Sequence, residues 1–91
     1  MKIEFNPDMN TQNIALRGIS FEQAAEFEWE TAVIIGDARR DYKEPRFRAM
    51  GMIGKRHHAM VFTPRPDGIR VIILRKANRR EERKYAETSE S

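Results

Sequence analysis

The chain has 91 residues, the length of one domain around one hydrophobic core. Hydrophobic residues make up 40% and charged residues 34%, a balance that excludes an intrinsically disordered chain. There is no cysteine, which excludes disulfide bonds, thiolate metal ligands and a cysteine nucleophile. No apolar run approaches the roughly 20 residues of a membrane span and no signal-peptide pattern is present, so we expect a cytoplasmic protein that contacts no membrane.

The two halves of the chain carry opposite charge. Residues 1–44 contain five Lys or Arg and nine Asp or Glu, a net charge of −4, whereas residues 45–91 contain twelve and five, a net charge of +7. A basic half indicates contact with a polyanion. The alternative interpretation is a small protein whose charges are only solvated.

The first half is predicted to contain a strand, two helices, a second strand and a loop. Asn6 and Pro7 are typical of a helix start, and Gly18 suits the left-handed residue that ends a helix. Ser20 and Gln23 have the spacing of a capping box, which opens the second helix. In chain order these elements cover about residues 2–5, 7–17, 20–28, 31–35 and 36–45.

The second half is predicted to contain three strands and a helix. Gly54-Lys55 is a two-residue hairpin signal, and a four-residue loop forms the next turn. The strands cover about residues 46–53, 56–64 and 69–75, and the loop between the last two covers residues 65–68. The helix covers about residues 77–87, and residues 88–91 form a frayed tail. The sequence therefore predicts one α+β domain over residues 1–91, in the order β-α-α-β-β-β-β-α, with helices packed on an antiparallel sheet.

A tight turn at Gly54-Lys55 fixes which side chains share a face of this sheet. The core face is predicted to carry Phe47, Ala49, Ile53, Met60, Phe62, Ile69, Val71 and Ile73. The other face is predicted to carry Arg46, Arg48, Thr63, Arg70, Met50, Ile72 and Leu74. The three arginines repel each other unless an anion lies among them, and a phosphate matches the geometry of guanidinium groups. The alternative is that they extend into solvent or pair with acidic residues of segment 37–44.

Arg75 is predicted to end the last strand on the core side, opposite His58. Glu81 and Tyr85 lie four residues apart in the following helix, so both face inward. An inward carboxylate requires a cationic partner, and Arg75 is close in sequence. Three roles stay open for Glu81: a capping box with Asn78, a structural salt bridge with Arg75, or part of an active site.

Two further features of the sequence are candidate sites. His57 and His58 are neighbours on a strand and point to opposite faces, so they cannot share a metal ion, and no metal or other cofactor is expected. Aromatic and methionine side chains before and within the meander are interpreted either as core or as a partner docking surface. That surface would include Phe27, Trp29, Met50 and Met52.

Several short motifs follow one another in a fixed order. Near the C-terminus the chain has the pattern Arg-x-Ile-x-x-Arg-x-Ala-x-x-x-Glu-x-x-x-Tyr. Through these motifs the chain resembles the BrnT family of small prokaryotic ribonuclease toxins, and the resemblance covers about residues 3–85. The residues that carry the resemblance are Phe5, Asn6, Pro7, Asn13, segment 16–24, Arg46, Gly51, Arg70, Ile72, Arg75, Ala77, Glu81 and Tyr85.

The resemblance implies a RelE-like fold and a metal-independent endoribonuclease that inhibits translation by cleaving RNA, including mRNA on the ribosome. It also implies a ribbon-helix-helix antitoxin in a 2:2 complex, with DNA contacted only through the antitoxin. We expect Arg46 and Arg75 to stabilise the phosphorane, with Glu81 orienting Arg75 or acting as a weak base, and Tyr85 hydrogen-bonded in the same cluster. The residues expected to bind RNA are Arg17, Arg48, Arg70, Arg79 and Arg80, although a solvated surface would explain those of the last helix equally well.

The chain departs from the family pattern at three positions. Leu16 and Arg17 stand where the family has Lys-His, and Met9 stands where it has Lys. Arginine cannot exchange a proton near neutral pH as histidine can. The alternative function is therefore a catalytically weakened toxin homologue that binds an antitoxin or RNA without cleaving.

Overall fold

A computed structural model of the chain describes residues 1–38 and 43–90. Its elements are β1 (Lys2–Glu4), α1 (Pro7–Arg17), a 3-10 helix (Phe21–Glu26), β2 (Val33–Gly36), β3 (Phe47–Ile53), β4 (Arg56–Arg65), β5 (Gly68–Lys76) and α2 (Arg79–Glu90). The fold is α+β, as predicted. Residues 39–42 of the predicted loop and residue 91 of the predicted tail lie outside the described residues, and α2 extends through residues 88–90 of that tail.

The five strands form one mixed sheet in the order β1-β5-β4-β3-β2. The prediction of an antiparallel sheet is wrong for β1, which pairs with β5 in parallel, Lys2 opposite Gly68. Alternation of polar and apolar residues identifies a strand but does not identify its neighbour, which is why the sequence missed this pairing. The pairing requires glycine, because a Cβ on Gly68 would lie 1.9 Å from the carbonyl oxygen of Lys2.

The second predicted helix is a 3-10 helix. Ser20 caps it, its Oγ accepting from the Glu22 backbone N–H at 3.2 Å. Phe21, Ala24 and Phe27 are all buried at a spacing of three, the repeat at which side chains of a 3-10 helix line up. The capping-box signal located the start of this element, and the three-residue spacing determined its type.

The first hairpin follows the prediction. Gly54 has φ of +61°, and the β3–β4 register pairs Phe47 with Phe62. The second turn is tighter than predicted, because Arg65 pairs with Gly68 and only two residues form the loop. Loops of two and four residues have the same parity, so the predicted pairing of Thr63 with Arg70 is confirmed.

A β-bulge between β4 and β5 overturns the predicted register beyond it. The shift lies at Val61/Phe62, and Arg75 pairs with Ala59 instead of His58. An extra residue in one strand exchanges the faces of everything that follows. Leu74 is consequently fully buried in the core, while Arg75 and Ile73 lie on the opposite face, so the predicted faces of all three residues were wrong.

The core lies between the 3-10 helix and one face of the sheet. Its largest fully buried side chains are Phe21, Met60, Val71 and Leu74. A Cβ on Gly51 would lie 2.6 Å from the Phe27 ring, so glycine is needed there. Core packing therefore accounts for Phe27, which is only 5% exposed and is not part of a docking surface.

The two helices occupy different parts of the sheet. α1 packs beside β5, where the Asn13 side-chain amide donates to the Leu74 carbonyl oxygen at 2.8 Å. α2 follows β5 and crosses to β2 and β3 on the face opposite the core. Within the described residues part of this face stays open, since Arg48 and Ile35 are exposed. No helix in the described part of the chain is long and apolar enough to cross a membrane.

Candidate active-site groove

A groove of about 470 Å³ lies between α2 and the uncovered part of the sheet. We call it the α2 groove. Strands β2 to β5 form its floor, and one side of α2 forms its wall. Its lining residues are Val33, Ile35, Arg48, Ala49, Met50, Ala59, Met60, Val61, Ile73, Arg75, Glu81, Lys84, Tyr85 and Thr88.

Local sequence explains how the charged side chains reach the groove. Arg48 pairs with Ile35 of β2 and Val61 of β4, so its side chain lies on the same face as theirs. The bulge places Arg75 on this face too. From α2, residues 81, 84, 85 and 88 follow the spacing of one helix face.

Arg75 and Glu81 form a two-pronged ion pair at the start of α2. Nη1 of Arg75 donates to Oε1 of Glu81 at 2.7 Å, and Nη2 donates to Oε2 at 2.8 Å. These bonds lower the pKa of Glu81, with a smaller contribution from Arg48, and raise the pKa of Arg75. Both groups therefore stay charged, and the paired carboxylate fixes the plane of the guanidinium group.

Glu81 also completes a capping box. Its Oε1 accepts from the Asn78 backbone N–H at 3.0 Å, while Asn78 Oδ1 accepts from the Glu81 backbone N–H at 2.9 Å. Glu81 thus makes both the salt bridge with Arg75 and the capping box with Asn78. These interactions hold its carboxylate in a fixed place, and the carboxylate in turn holds Arg75 beside the groove.

Arg48 differs from Arg75 in having no hydrogen-bond or ion-pair partner among the described residues. Its side chain is exposed, and it forms no hydrogen bond or ion pair within residues 1–38 and 43–90. The Lys84 side chain, on the wall, is likewise without an ion pair in this part of the chain. The described lining carries three cations and one carboxylate, and that carboxylate is already bound to Arg75. The groove therefore has an excess of positive charge.

Tyr85 anchors α2 across the sheet. Its hydroxyl donates to the Thr31 carbonyl oxygen at 2.8 Å, just before β2 begins. Its ring meets the His57 ring edge-on, with centroids 5.0 Å apart. Tyr85 is therefore a wall residue that ties α2 to the chain just before β2.

The two histidines lie on opposite faces, as predicted. His57 contacts Tyr85, whereas His58 is buried on the core side with Nδ1 2.8 Å from the Arg56 carbonyl oxygen. Burial lowers the pKa of His58. Among the described residues no three His, Cys, Asp or Glu side chains lie close enough together to hold a metal ion.

Of the residues predicted for the site, the groove brings together Arg48, Arg75, Glu81 and Tyr85. Arg46 precedes β3, and its carbonyl oxygen accepts from the Asp37 backbone N–H at 2.8 Å. In the sheet register Arg70 of β5 lies opposite Glu4 of β1 and Thr63 of β4, and the Thr63 side chain is buried. Arg46 and Arg70 do not line the groove.

The remaining predicted RNA-binding residues are exposed and lie outside the groove lining. Arg17 ends α1, and Arg79 and Arg80 lie in the first turn of α2. Sequence reasoning did not name Lys84 as a site residue, and it assigned Thr88 to the tail beyond the helix. The i, i+3, i+4, i+7 spacing from Glu81 was the signal that could have placed both on the inner face.

The protein is therefore an α+β fold in which one face of a mixed sheet carries a groove with excess positive charge. The family model described as ribonuclease toxin, BrnT, of type II toxin-antitoxin system matches residues 5–81, so the chain belongs to this family. The resemblance predicted from the motifs is confirmed. No curated protein sequence matches the chain. Membership implies a ribonuclease toxin with RNA as its substrate and an antitoxin protein as its partner.

The family motifs divide into scaffold and groove. In the N-terminal motif Asn6 caps α1, Gly18 ends it at φ of +71°, and Asn13 ties it to β5. In the C-terminal motif Arg75, Glu81 and Tyr85 line the groove. The candidate site therefore combines the C-terminal motif with Arg48 of β3.

Proposed function

We propose that the α2 groove binds the scissile phosphate of RNA between Arg48 and Arg75, and that cleavage needs no metal ion. One observation carries this proposal: Arg48, which pairs with no described residue, and Arg75, which Glu81 holds, line the same groove. Guanidinium groups match phosphate oxygens in geometry and stay charged at all physiological pH values. They can supply the positive charge that a metal ion supplies in other nucleases.

The reaction that suits such a groove is internal transfer at phosphorus. The 2′-oxygen of the ribose loses its proton and forms a bond to the adjacent phosphorus, and the bond from phosphorus to the 5′-oxygen breaks as that oxygen gains a proton. The products are a 2′,3′-cyclic phosphate and a 5′-hydroxyl. Negative charge grows on the phosphorane oxygens, where a fixed donor typically contributes about 10²- to 10³-fold in rate.

Glu81 is proposed as a positioning residue and Tyr85 as an anchor. Both carboxylate oxygens of Glu81 already accept hydrogen bonds, and Arg75 lowers its pKa, so Glu81 is a poor proton acceptor. The hydroxyl hydrogen of Tyr85 is engaged by Thr31. Both residues hold the arginine and the helix in place for the substrate.

Flanking phosphates are proposed to contact Lys84 on the wall and Arg79 and Arg80 in the first turn of α2. These contacts would position RNA without reading its sequence. We further propose a RelE-like fold, a ribbon-helix-helix antitoxin in a 2:2 complex, DNA contact only through that antitoxin, and a cytoplasmic location. Family membership supports these points.

A second candidate function is RNA or antitoxin binding without cleavage. It is favoured by the composition of the groove, because no histidine is found among its described lining residues. Histidine is the side chain whose ordinary pKa lies closest to neutral pH, and Arg17 stands where the family pattern has one. This candidate predicts tight binding of RNA with the strands left intact.

Purified protein and an RNA carrying a single 2′-deoxy nucleotide at the mapped cleavage position test the proposal. We expect cleavage of the all-ribose RNA in EDTA, a 2′,3′-cyclic phosphate end, and no cleavage at the deoxy position. Arg48→Ala should lower the rate about 10²- to 10³-fold. Arg65→Ala is the matched control, because Arg65 pairs with Glu4 and Glu44 away from the groove lining. Equal rates for both variants would reject the site, and intact RNA with tight binding would favour the second candidate.

A further inference from the structure

The two edges of the sheet differ in how well they are protected. β1, at one edge, has three residues, two of them charged, and Glu4 pairs with Lys2 and Arg65. β2, at the other edge, has the uncharged sequence Val-Ile-Ile-Gly. Ile34 is 45% exposed and Ile35 is 49% exposed, and they lie on opposite faces. Edge strands are usually shielded by charge, proline or a bulge, and the described residues of β2 have none of these.

The main chain of β2 has hydrogen-bonding groups that point away from the sheet. The Asp37 backbone N–H donates to the Arg46 carbonyl oxygen, so Asp37 faces β3. Residues of an antiparallel strand alternate in direction, so Ile35 and Val33 also face β3, while Ile34 and Gly36 face outward. Within residues 1–38 and 43–90 no other strand pairs with this side of β2.

We propose that the outer edge of β2 accepts an extended segment of a partner protein as a sixth strand, and that this segment alternates apolar and acidic residues. Main-chain hydrogen bonds to Ile34 and Gly36 would give affinity, and alternate side chains would give specificity. The inference concerns regulation of the proposed RNA site, and the antitoxin that family membership implies is the partner it addresses.

The positive charge of the groove favours acidic side chains on the side of the added strand that faces it. A residue opposite Ile35 would point to the same face as Ile35 and Arg48 and lie about 10 Å from Arg48 across two strand spacings. An arginine and a glutamate side chain together span this distance. Arg48 and Lys84 have no ion-pair partner in the described residues, so carboxylates at these positions of the added strand would be attracted to the groove.

A second copy of the chain fits this edge less well. Pairing two four-residue strands would bury far less than the roughly 800 Å² per partner of a stable interface. It would also bring two positively charged grooves together. A longer segment from another protein can extend along the groove and add contacts that β2 alone does not provide.

The proposal has a functional consequence. A carboxylate at Arg48 would occupy the place proposed for the scissile phosphate. The added strand would therefore compete with RNA directly, without any change in the shape of the toxin.

The probe is a fluorescent, end-blocked ten-residue peptide that alternates valine and glutamate, with a valine–lysine peptide as its control. We expect the acidic peptide to bind, the lysine peptide to bind at least tenfold more weakly, and the amides of Ile34 and Gly36 to exchange hydrogen at least tenfold more slowly in the complex. Amides of Val33 and Ile35 should be protected already in the free protein. Binding without new protection at Ile34 and Gly36, or no binding, overturns the proposal.

Ile34→Pro removes the outward N–H and leaves the hydrogen bonds to β3, while Ile34→Thr changes the side chain and keeps the N–H. We expect at least a tenfold loss of peptide affinity for the proline variant and less than threefold for the threonine variant. Equal losses would overturn main-chain pairing. If the free protein is dimeric with these amides already protected, the occupant is a second copy and the proposal is wrong.

RNA cleavage separates this inference from the proposed function. Ile34→Pro should cleave RNA at the wild-type rate without peptide, and should be inhibited at least tenfold less well by the acidic peptide than the wild type. If the wild type cleaves no RNA, the proposed function fails, while the added strand is still judged by hydrogen exchange. If cleavage is normal and the peptide protects no edge amide, only the added strand fails.

Discussion

The two faces of the sheet are built from the same strands but serve different purposes. On the core face Met60, Val71 and Leu74 are fully buried against the 3-10 helix. On the groove face Arg48 is exposed and Arg75 is held by Glu81, and α2 is the described element that flanks them. One face thus stabilises the fold, and the other keeps charged groups available. Neighbouring residues of one strand should therefore respond to mutation in different ways.

Leu74 and Ile73 provide the largest expected contrast in stability. Leu74→Ala should lower the free energy of unfolding by about 2–5 kcal/mol, because the residue is fully buried in the core. Ile73→Ala should cost about 1 kcal/mol, since Ile73 is only half-buried in the groove floor. Urea denaturation measures both values. A larger loss for Ile73→Ala would mean that the β4–β5 bulge is misplaced.

Arg75, the residue after Leu74, should show the reverse behaviour. Arg75→Ala is expected to reduce RNA cleavage about 10²- to 10³-fold, the usual effect of losing one fixed donor to a developing oxyanion. Its loss of stability should stay near 1 kcal/mol, because the pair with Glu81 is partly exposed. The cleavage rates of Arg75→Ala and of the control variant Leu74→Ala are measured at saturating RNA, at a temperature where both variants are folded. Wild-type cleavage by Arg75→Ala would remove Arg75 from the site.

These contrasts show what the sequence could and could not specify. Gly54-Lys55 defines a two-residue turn, so the β3–β4 register and the position of Arg48 followed from the sequence. The bulge did not, because Ile72, Ile73 and Leu74 are all apolar and any of them suits a core position. Only packing against the 3-10 helix selects Leu74. The face of Arg75 depends on that choice.

The candidate site was predictable where spacing alone determines contact. Asn78 and Glu81 lie at capping-box spacing, and Glu81 and Tyr85 lie one helical turn apart, so both relations appear in the structure. Arg46 and Arg70 lie outside the groove lining, and periodicity, which assigns residues to a face, does not say which part of that face a groove occupies. The parallel pairing of β1 is a long-range choice of the same kind.

Lowering the pH should have a smaller effect on the free energy of unfolding than the core substitution has. The pKa of Glu81 is lowered in the folded protein, so its ion pair stabilises the fold above the unfolded pKa of about 4.3 and loses that contribution as pH falls through the folded value. Glu81→Gln should be less stable than the wild type at pH 7 by no more than about 1 kcal/mol. Denaturation at several pH values should show this difference vanish in acid. A constant difference would mean that charge is not its cause.

Arg65 should show the smallest effect of all. It pairs with Glu4 and Glu44 at the opposite end of β4 from the α2 start, in contacts of 3.4 and 3.2 Å. Arg65→Ala should leave both the free energy of unfolding and the cleavage rate close to those of the wild type, because exposed ion pairs contribute little to stability. A loss of cleavage comparable with that of Arg75→Ala would show that RNA binds elsewhere on the surface.

The most direct test of the central claim is an NMR titration with a 2′-O-methyl RNA that cannot be cleaved. The resonances of the Nε–H groups of Arg48 and Arg75 report on their guanidinium groups individually. If the groove holds the RNA phosphate, both resonances shift together as RNA is added, while that of Arg65 does not move. Shifts at Arg17 or Arg65, with Arg48 and Arg75 unchanged, would contradict the assignment of the α2 groove as the RNA site.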